Sequence, residues 1–515
     1  MKKFFKTTLF VSVSALTSRI LGVIRDILIA SLFGANFYSD LFFLCFRIPD
    51  FLRKMFSEGI LISSFVPVFT KYLKRDGEKT AFKMANSAFL LISIATITIT
   101  VSGIIFAPFF IKFLLPQFSS NSYEVNLAIL LFRIMMPYLI LISLLAVCMG
   151  VLNSMNDFRT SSFAPIVFNL VIIFFAMSIC KYFDPQVIGL ALGVTMGGIV
   201  QVGMQIPQLI KKQVFKNINI EFIHPGVIKF ISRVFPAVIG ASSFHINLLI
   251  ATFSASFLDV GSISYLYYAD RLVQLPMVLI STSLAIVFLP MFSKNAVLEN
   301  ESKSSETLLE GLKSLFFIII PAMAGLIAIK EPLIKLFFFH GAFDLIAVNN
   351  TCSCLLYLTL GLWAYSGTRI IVSFFHAFSD MKTPFKAGTI AIIFNIILSY
   401  ILVETAGLKG LALSISISGA INFFILLFKL NMIMPFSFKD LGFSACRAIF
   451  ISGIMYFAIK MLIIWINSIL GFDMPLLINV AISIGIGILI YFGINILIRN
   501  PEITILKNEF FKPNS

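Results

Sequence analysis

Apolar segments about as long as a bilayer is thick recur from one end of this 515-residue chain to the other. A helix needs about 20 apolar residues to cross the hydrocarbon core. Within that core only helices and closed barrels satisfy their own backbone hydrogen bonds, and the short alternating segments of a barrel are absent. The sequence therefore predicts an all-α polytopic membrane protein with about 14 transmembrane helices. The segments lie roughly at 7–33, 41–70, 84–115, 125–152, 161–180, 187–210, 227–257, 262–293, 308–338, 347–378, 384–403, 409–430, 443–467 and 473–498.

The positions of Lys and Arg in the loops predict the orientation of these helices. Basic residues concentrate at both termini and in four loops, at 71–83, 211–230, 293–306 and 429–447. Five other loops contain neither Lys nor Arg, at 34–40, 116–124, 258–262, 339–344 and 467–473. Because cytoplasmic loops carry the excess of positive charge, both termini are predicted to be cytoplasmic. The net charge of +15 is then explained by orientation. A nucleic-acid partner is not indicated, since the basic residues form no single stripe.

The six cysteines lie mostly within apolar segments and show no C-x-x-C spacing. Zinc sites and disulfide frameworks depend on recognisable cysteine spacings. The sequence therefore predicts free, buried thiols, with no metal site and no disulfide.

Several short strings recur about 220 residues further along the chain, which indicates an internal duplication. The pairs are FVPVFTK (65–71) with FLPMFSK (288–294), NDFRTSSF (156–163) with SDMKTPFK (379–386), IVFNLVI (166–172) with IIFNIIL (392–398), and GLAL (189–192) with GLAL (410–413). Four matches in the same order predict two six-helix halves, 1–220 and 221–435, followed by two extra helices within 436–515. Halves with an even number of helices are parallel repeats about an axis along the membrane normal, as in some transporters. We expect the substrate path between the halves, exposed to each side in turn.

Charged side chains interrupt the apolar segments at a few places. A charge at the bilayer centre costs about 2.5–3.5 kcal/mol even on the lenient insertion scale, so these residues need a partner, water or a ligand. The first segment, LTSRILGVIRDILIASLFG (16–34), contains Arg19, Arg25 and Asp26. The second carries Asp40, Arg47, Asp50, Arg53, Lys54 and Glu58, and the eighth carries Asp270 and Arg271 in YYADRLVQLP (267–276). Other polar side chains of the second half are His245, Arg369 and His376.

Two interpretations of these charges stay open at this point. Neighbours such as Arg25 and Asp26 can form local ion pairs that hold helices together, and long side chains near a membrane face can extend to the interface. Alternatively, the excess of Arg over carboxylates on the early helices of both halves forms a cationic, water-filled cavity. The planar guanidinium stays charged when buried and matches phosphate oxygens. This pattern favours an anionic, phosphate-bearing substrate over a cation, which would require buried carboxylates.

The strings SRILGVIRD, SDLFFLCFRIPDFLRKMFSEG, YYADRLVQLP and DMKTPFK resemble the MurJ (MviN) family of bacterial lipid II flippases. That family belongs to the multidrug/oligosaccharidyl-lipid/polysaccharide exporter superfamily. The resemblance covers essentially the whole chain. It implies a transporter, not an enzyme, which moves lipid II, an undecaprenyl-diphosphate-linked disaccharide pentapeptide, from the cytoplasmic to the periplasmic leaflet of the inner membrane for peptidoglycan synthesis.

The resemblance also implies the residues of the substrate site. The arginines that line the central cavity in the family fall on Arg19, Arg25, Arg53 and Arg271, and the neighbouring acids fall on Asp26, Asp40, Glu58 and Asp270. The two helices after the duplication resemble a pair that borders a groove for the lipid tail. Some members bind sodium in the second half. Here His376 stands where an Asn is expected, so sodium stays open.

The implied partners are lipid II and membrane lipids, with cell-wall synthesis enzymes as further candidates. No nucleotide-binding signature such as G-x-x-x-x-G-K-[ST] is present, so we expect no cofactor and the membrane potential as the drive. Alternatives are a flippase for another polyprenyl-diphosphate-linked oligosaccharide and a drug/cation antiporter of the same superfamily. An integral-membrane enzyme on polyprenyl phosphates would require larger loops with acidic or His clusters, and a structural scaffold would not require buried arginines.

Overall fold

The structure is a computed structural model that describes residues 2–57, 60–114, 122–216, 221, 224–297, 301–378, 380–470 and 475–503. Within these ranges it gives side chains except at 2–8, 52–57, 60–64, 114, 122, 233–242, 286, 295–297, 301–302, 467 and 469–470. The described helices are α1 (Lys2–Phe33), α2 (Phe37–Ser57), α3 (Ile60–Arg75), α4 (Gly77–Leu114), α5 (Ser122–Met135), α6 (Tyr138–Ser154), α7 (Arg159–Phe174), α8 (Val187–Lys211), α9 (Pro225–Ala255), α10 (Ser262–Pro276), α11 (Ser283–Val297), α12 (Glu301–Ala328), α13 (Lys330–Phe338), α14 (Leu345–Thr359), α15 (Leu362–Ala377), α16 (Lys382–Ile433), α17 (Phe438–Leu470) and α18 (Leu476–Leu497).

The predicted fold class is confirmed, because the described ranges are mostly helical and contain no strand. Nine helices in these ranges are long and apolar enough to cross a membrane. The number is ten if α14 and α15, which are bent by 43° at a short break, form one span. The chain is therefore a polytopic helical membrane protein, and the count of fourteen spans stays a prediction.

Helix α16 shows why span counts and helix counts differ. Its 52 residues would extend roughly 78 Å at 1.5 Å per residue, more than twice the hydrocarbon thickness. Gly407 breaks the helical path with φ 55° and ψ −132°, a conformation that glycine adopts without steric cost. The break lies between the predicted segments 384–403 and 409–430, so α16 contains both.

Prolines lie inside or beside several helices, as expected for helices that bend. Pro49 is inside α2 and Pro67 is inside α3. The apolar segment predicted at 41–70 falls on α2 and α3, and residues 58–59 between them lie outside the described ranges. After Pro276 the chain forms a π-helical turn over Met277–Thr282, because proline removes a backbone donor from the regular ladder.

Residues 1–238 and 255–264 form one compact unit, called here the N-terminal unit. Its core contains Phe65, Phe69 and Val151 together with Phe230 from the first part of α9. Gly150 of α6 lies against the Phe65 ring, and a Cβ there would come within 2.7 Å of it. Because α9 contributes to this core, the compact unit extends past the predicted repeat boundary at residue 220.

Residues 239–254 and 265–515 form the second compact unit, called here the C-terminal unit. Tyr491 of α18 is buried and donates a hydrogen bond of 2.7 Å to the Phe317 carbonyl of α12. Helix α17 also packs against α12. The two helices after the predicted duplication are therefore part of this unit.

The repeated strings make similar contacts within each unit. Phe65 and Phe69 stack at 5.5 Å, and the matching Phe288 and Phe292 stack at 6.0 Å. Gly198, nine residues after the first Gly of one GLAL string, lies against the Tyr138 ring. Gly419, at the same distance from the first Gly of the other GLAL string, lies against the Tyr365 ring. Small residues at these places allow aromatic rings of a neighbouring helix to approach its backbone. The parallel arrangement of two halves about a membrane axis stays a prediction.

The repeated Asp380 has a local structural role at the start of α16. Its carboxylate accepts hydrogen bonds from the backbone amides of Lys382 and Thr383 and from the Thr383 hydroxyl. Burial acts to raise the pKa of Asp380, but the hydrogen bonds from Thr383 and Lys382 outweigh it and lower the pKa below its usual range. Asp380 therefore acts as an N-terminal cap.

The cysteines agree with the predicted free thiols with one exception. All six are free, and five are buried, whereas Cys446 of α17 is exposed. The prediction of burial was wrong at this position because α17 turns this residue away from its neighbours in the unit.

Candidate functional site

The charged pair of α1 is buried in the N-terminal unit and joined to α7. Arg25 donates to Asp26 Oδ1 from Nε at 3.0 Å and from Nη2 at 2.8 Å. Its Nη1 donates to Asn169 Oδ1 at 3.1 Å. Asn169 Nδ2 in turn donates to the Ser18 carbonyl at 2.9 Å, which fixes the amide so that its oxygen faces the guanidinium. Sequence reasoning missed Asn169, although its presence in the repeated string IVFNLVI was a usable signal.

The two arginines of α1 differ in their surroundings. Arg25 and Asp26 are 4% and 3% exposed, so the positive charge of Arg25 is compensated inside the unit. Arg19 lies on the same helix but is exposed. A molecule outside the unit could therefore reach Arg19 more easily than Arg25.

Asp40 binds the start of α10 within the N-terminal unit. Its Oδ2 accepts from the Gly261 amide at 2.6 Å. Its Oδ1 accepts from the Ser264 amide at 2.8 Å and from the Ser264 hydroxyl at 2.6 Å. The carboxylate thus takes the position of a cap for the N-terminal amides of α10, which the helix dipole also favours. Both oxygens of this predicted site acid are used in the structure for packing α2 against α10.

The second charged pair lies on α10 in the C-terminal unit. The Arg271 guanidinium lies 4.6 Å from the centre of the Tyr267 ring, and its Nη2 donates to the Tyr267 hydroxyl. Asp270 is 1% exposed and accepts from Gln274 Nε2 at 2.5 Å. Contacts one helical turn away therefore hold both side chains. Arg271 is only half-buried, so its planar face packs on the ring while part of its surface stays accessible.

The remaining predicted site residues are placed only in part. The Arg53 side chain and the whole of Glu58 lie outside the described residues, as does the Lys54 side chain. Arg47 and Asp50 are both buried on α2, at 5% and 1% exposure. The structure thus brings Arg25 together with Asp26 and leaves the role of Arg53 and Glu58 a prediction.

A further set of polar residues lies inside the C-terminal unit. Arg369 of α15 donates from Nη1 to the Thr282 hydroxyl in the π-helical turn at 3.1 Å. Asn247 of α9 and Asn422 of α16 are buried nearby and line one cavity with Arg369 and His245. Sequence reasoning singled out His245 and Arg369 but missed both asparagines, since isolated amides in apolar runs give little signal.

Among the described residues, no three His, Cys, Asp or Glu side chains converge in a way that could hold a metal ion. The arrangement favours recognition by guanidinium and amide groups.

The buried pair in α1 generates a testable stability prediction. Asp26→Asn should leave the buried Arg25 without its anionic partner and destabilise the protein by about 3–5 kcal/mol. The double variant Arg25→Gln/Asp26→Asn should lose less than Asp26→Asn alone, because it removes the uncompensated charge. Thermal unfolding of the purified protein in detergent measures both effects.

The exposed pair Lys335 and Glu331, 2.7 Å apart on α13, supplies the matched control. Glu331→Gln should cost less than about 1 kcal/mol. An Asp26→Asn protein that unfolds at the wild-type temperature would contradict a structural role for the Arg25–Asp26 pair.

Comparison with known proteins places this geometry in a family. A family model described as "Lipid II flippase MurJ" matches residues 29–480. The chain is 36% identical over 430 residues to the "Probable lipid II flippase MurJ" of Vibrio cholerae, covering 82% of each chain. It is 35% identical over 425 residues to the protein of the same name from Buchnera aphidicola subsp. Acyrthosiphon pisum, covering 82% of this chain and 83% of the relative.

Solved structures agree with this result. A structure titled "Lipid II flippase MurJ, inward closed conformation" matches with a TM-score of 0.78 at 31% identity, covering 98% of this chain and 100% of the other. An inward-facing multidrug resistance MATE family transporter of the MOP superfamily matches with a TM-score of 0.70 at 17% identity, covering 81% and 94% of the two chains. The second match shows a shared fold alone. The chain belongs to the lipid II flippase MurJ family and is a membrane transporter, not an enzyme.

Proposed function

We propose that this protein moves lipid II from the cytoplasmic to the periplasmic leaflet of the bacterial inner membrane. The observation that carries the proposal is the family match over residues 29–480, together with arginines at the positions expected for binding a diphosphate. The relatives from Vibrio cholerae and Buchnera are named as probable lipid II flippases. Lipid II joins an anionic diphosphate to a large head group and a long apolar tail, and each part requires a different surface.

The diphosphate is bound by guanidinium groups in a cationic central cavity. Arg19, Arg25, Arg53 and Arg271 supply the charge, and Asp26, Asp40, Glu58 and Asp270 tune it. The described contacts support a division of labour among these residues. Arg19 is exposed and Arg271 half-buried, so these two contact the phosphates. Arg25 is compensated by Asp26, so it holds α1 against α7.

The lipid tail lies along helices α17 and α18. Both helices expose large apolar side chains to their surroundings, including Phe450, Phe457 and Trp465 on α17 and Leu489 on α18. An apolar surface of this kind suits a polyprenyl chain in contact with the membrane. The head group enters the cavity while the tail stays in the bilayer.

The transport cycle is alternating access. The solved MurJ relative is in an inward closed conformation, which is a state that such a cycle requires. No nucleotide-binding signature is present, so the drive is the membrane potential. One elementary charge is worth about 2.3 kcal/mol per 100 mV, and the diphosphate carries roughly two negative charges outward from a negative interior.

The orientation of the chain follows from its basic loops, with both termini in the cytoplasm. A cysteine at Asp259 should therefore react with an impermeant thiol reagent in intact cells, whereas one at Lys79 should react only after permeabilisation. Both residues are exposed. A Cys446→Ser background removes the single exposed native thiol. The reverse labelling pattern would contradict the orientation.

Charge removal at Arg271 tests the cavity. Arg271→Ala should lower the flipping rate about tenfold or more, because a hydrogen bond to a charged group contributes about 1.5–3 kcal/mol. Arg271→Lys should recover only part of the rate, since it keeps the charge but loses the planar fork. The readout is rescue of a walled bacterium depleted of its own flippase, with Arg19→Ala measured alongside.

Arg159→Ala is the matched control, since Arg159 is an exposed arginine at the start of α7. It should complement like the wild type at equal expression. Full activity of both Arg271→Ala and Arg19→Ala would refute the phosphate contacts, and failure of the wild-type chain to complement would refute lipid II as the substrate.

The energetic proposal is tested in vesicles that contain the protein and lipid II, with a potassium diffusion potential set by valinomycin. Outward exposure of lipid II should be fast with a negative interior and slow when the potential is collapsed, without ATP in either case. If the exposure of lipid II did not depend on the membrane potential but required ATP, the membrane potential would not be the driving force.

A further inference from the structure

A small chamber with a largely polar lining lies within the C-terminal unit, and its lining contains none of the residues proposed to bind substrate. The volume that the centres of water molecules can occupy in it is about 30 Å³. The polar residues of its lining include His245, Asn247, Tyr365, Thr368, Arg369 and Asn422. One water requires about 10–15 Å³ by this measure. The chamber therefore has space for about two waters, and nothing larger than a small ion.

The hydrogen-bond network fixes which atoms Asn247 presents to the chamber. Ser418 donates its hydroxyl to the Ala391 carbonyl at 2.6 Å, so its oxygen can only accept from Asn247 Nδ2, which lies at 2.8 Å. The amide nitrogen of Asn247 is thus committed to Ser418. The Asn247 Oδ1 atom is buried without a hydrogen-bond partner among the described residues and acts as an acceptor.

The same reasoning applies to Tyr365. Ser416 donates its hydroxyl to the Tyr357 carbonyl at 2.6 Å, so it accepts the hydrogen of the Tyr365 hydroxyl, 3.1 Å away. The phenol oxygen of Tyr365 then offers its lone pairs to the chamber. The buried Asn422 Oδ1 and Thr368 Oγ1 atoms also have no hydrogen-bond partner among the described residues.

This lining selects the chemistry of the occupant. A bare metal cation would lie in a chamber that Arg369 also lines, and like charges repel each other. An anion would face the lone pairs of Asn247 and Tyr365. Water both donates and accepts, so it can satisfy the oxygen atoms and the guanidinium together. Water beside an imidazole can deliver a proton, and His245 supplies that imidazole.

We propose that this chamber is a proton-binding site, in which the His245 imidazole takes a proton from a hydronium ion that forms at the water position held by Asn247 and Tyr365. The lone pair of the unprotonated ring nitrogen forms an N–H bond, and an O–H bond of a hydronium ion breaks to leave neutral water. The acceptor oxygens then stabilise the imidazolium through the water. This inference goes beyond the proposed function, and its test requires no transport.

The charges around the imidazole set its proton affinity. Arg369 on α15 lines the same chamber and opposes protonation, whereas Asp270 on α10, which interacts electrostatically with Tyr365, favours it. Arg271 follows Asp270 on α10, and Tyr365 is the other titratable group of the lining. The residues that α16 contributes, Gly419 and Asn422, are neutral. Arg369 and Asp270 thus act on the imidazole with opposite sign, while burial of the ring adds to the opposition.

The experiment is a titration of the full-length protein in lipid nanodiscs, labelled with ¹⁵N at the histidine rings and followed by NMR. The chain has four histidines, and His245→Gln identifies the signal by its loss. That signal should titrate between about pH 5 and 8. Arg369→Gln should raise the midpoint by about one pH unit or more, since a like charge is removed.

Two controls make the result specific. Lys429→Gln removes an exposed positive charge of the same unit and should leave the His245 midpoint unchanged. The exposed His340 should keep its own titration midpoint in the Arg369→Gln variant. If Arg369→Gln does not fold, Asn247→Leu takes its place and should lower the midpoint by removing an acceptor. A His245 signal that does not titrate, or a midpoint indifferent to the variant used, would overturn the proton site.

Discussion

Burial of charge among apolar helices is the interaction on which the described structure depends. An uncompensated buried charge costs several kcal/mol, so the chain surrounds its charged groups with specific partners. Arg25 is bound by Asp26 and Asn169, and Asp40 is bound by amides and a hydroxyl at the start of α10. The contact of Arg25 with Asn169 joins α1 to α7, and the contacts of Asp40 join α2 to the start of α10. Compensation of charge therefore also contributes to helix packing.

Two adjacent acid–arginine pairs are satisfied in different ways, and the difference bears on function. In α1 the guanidinium folds onto the neighbouring carboxylate and both groups are buried. In α10 the guanidinium lies on the Tyr267 ring one turn earlier, and Asp270 accepts from Gln274 one turn later. The first arrangement buries Arg25, whereas the second leaves Arg271 half-buried. The same two residue types are therefore held by a direct ion pair in one helix and by separate neighbours in the other.

Uncharged polar side chains inside the C-terminal unit also need hydrogen-bond partners, although burying them costs less free energy than burying a charge. Ser416 donates to a carbonyl of α14 and Ser418 to a carbonyl in the first half of α16, and this leaves both as acceptors for Tyr365 and Asn247. Such chains of donors fix the orientation of amides and phenols deep in the protein. They also leave the Asn247 and Tyr365 oxygens as the acceptors on which the proposed proton-binding site depends.

The sequence alone determined the all-helical membrane fold, because long apolar segments in a bilayer have few structures that satisfy the backbone. It also identified the charged residues of α1, α2 and α10, since charge in an apolar run is costly and easily recognised. It did not identify Asn169, which lies 144 positions from Arg25, or the amides of Asn247 and Asn422. Only the tertiary structure decided that Arg25 is neutralised and Arg271 is held on a ring. Partners distant in sequence, and the rotation of each helix, set those contacts, and no local pattern of residues encodes either.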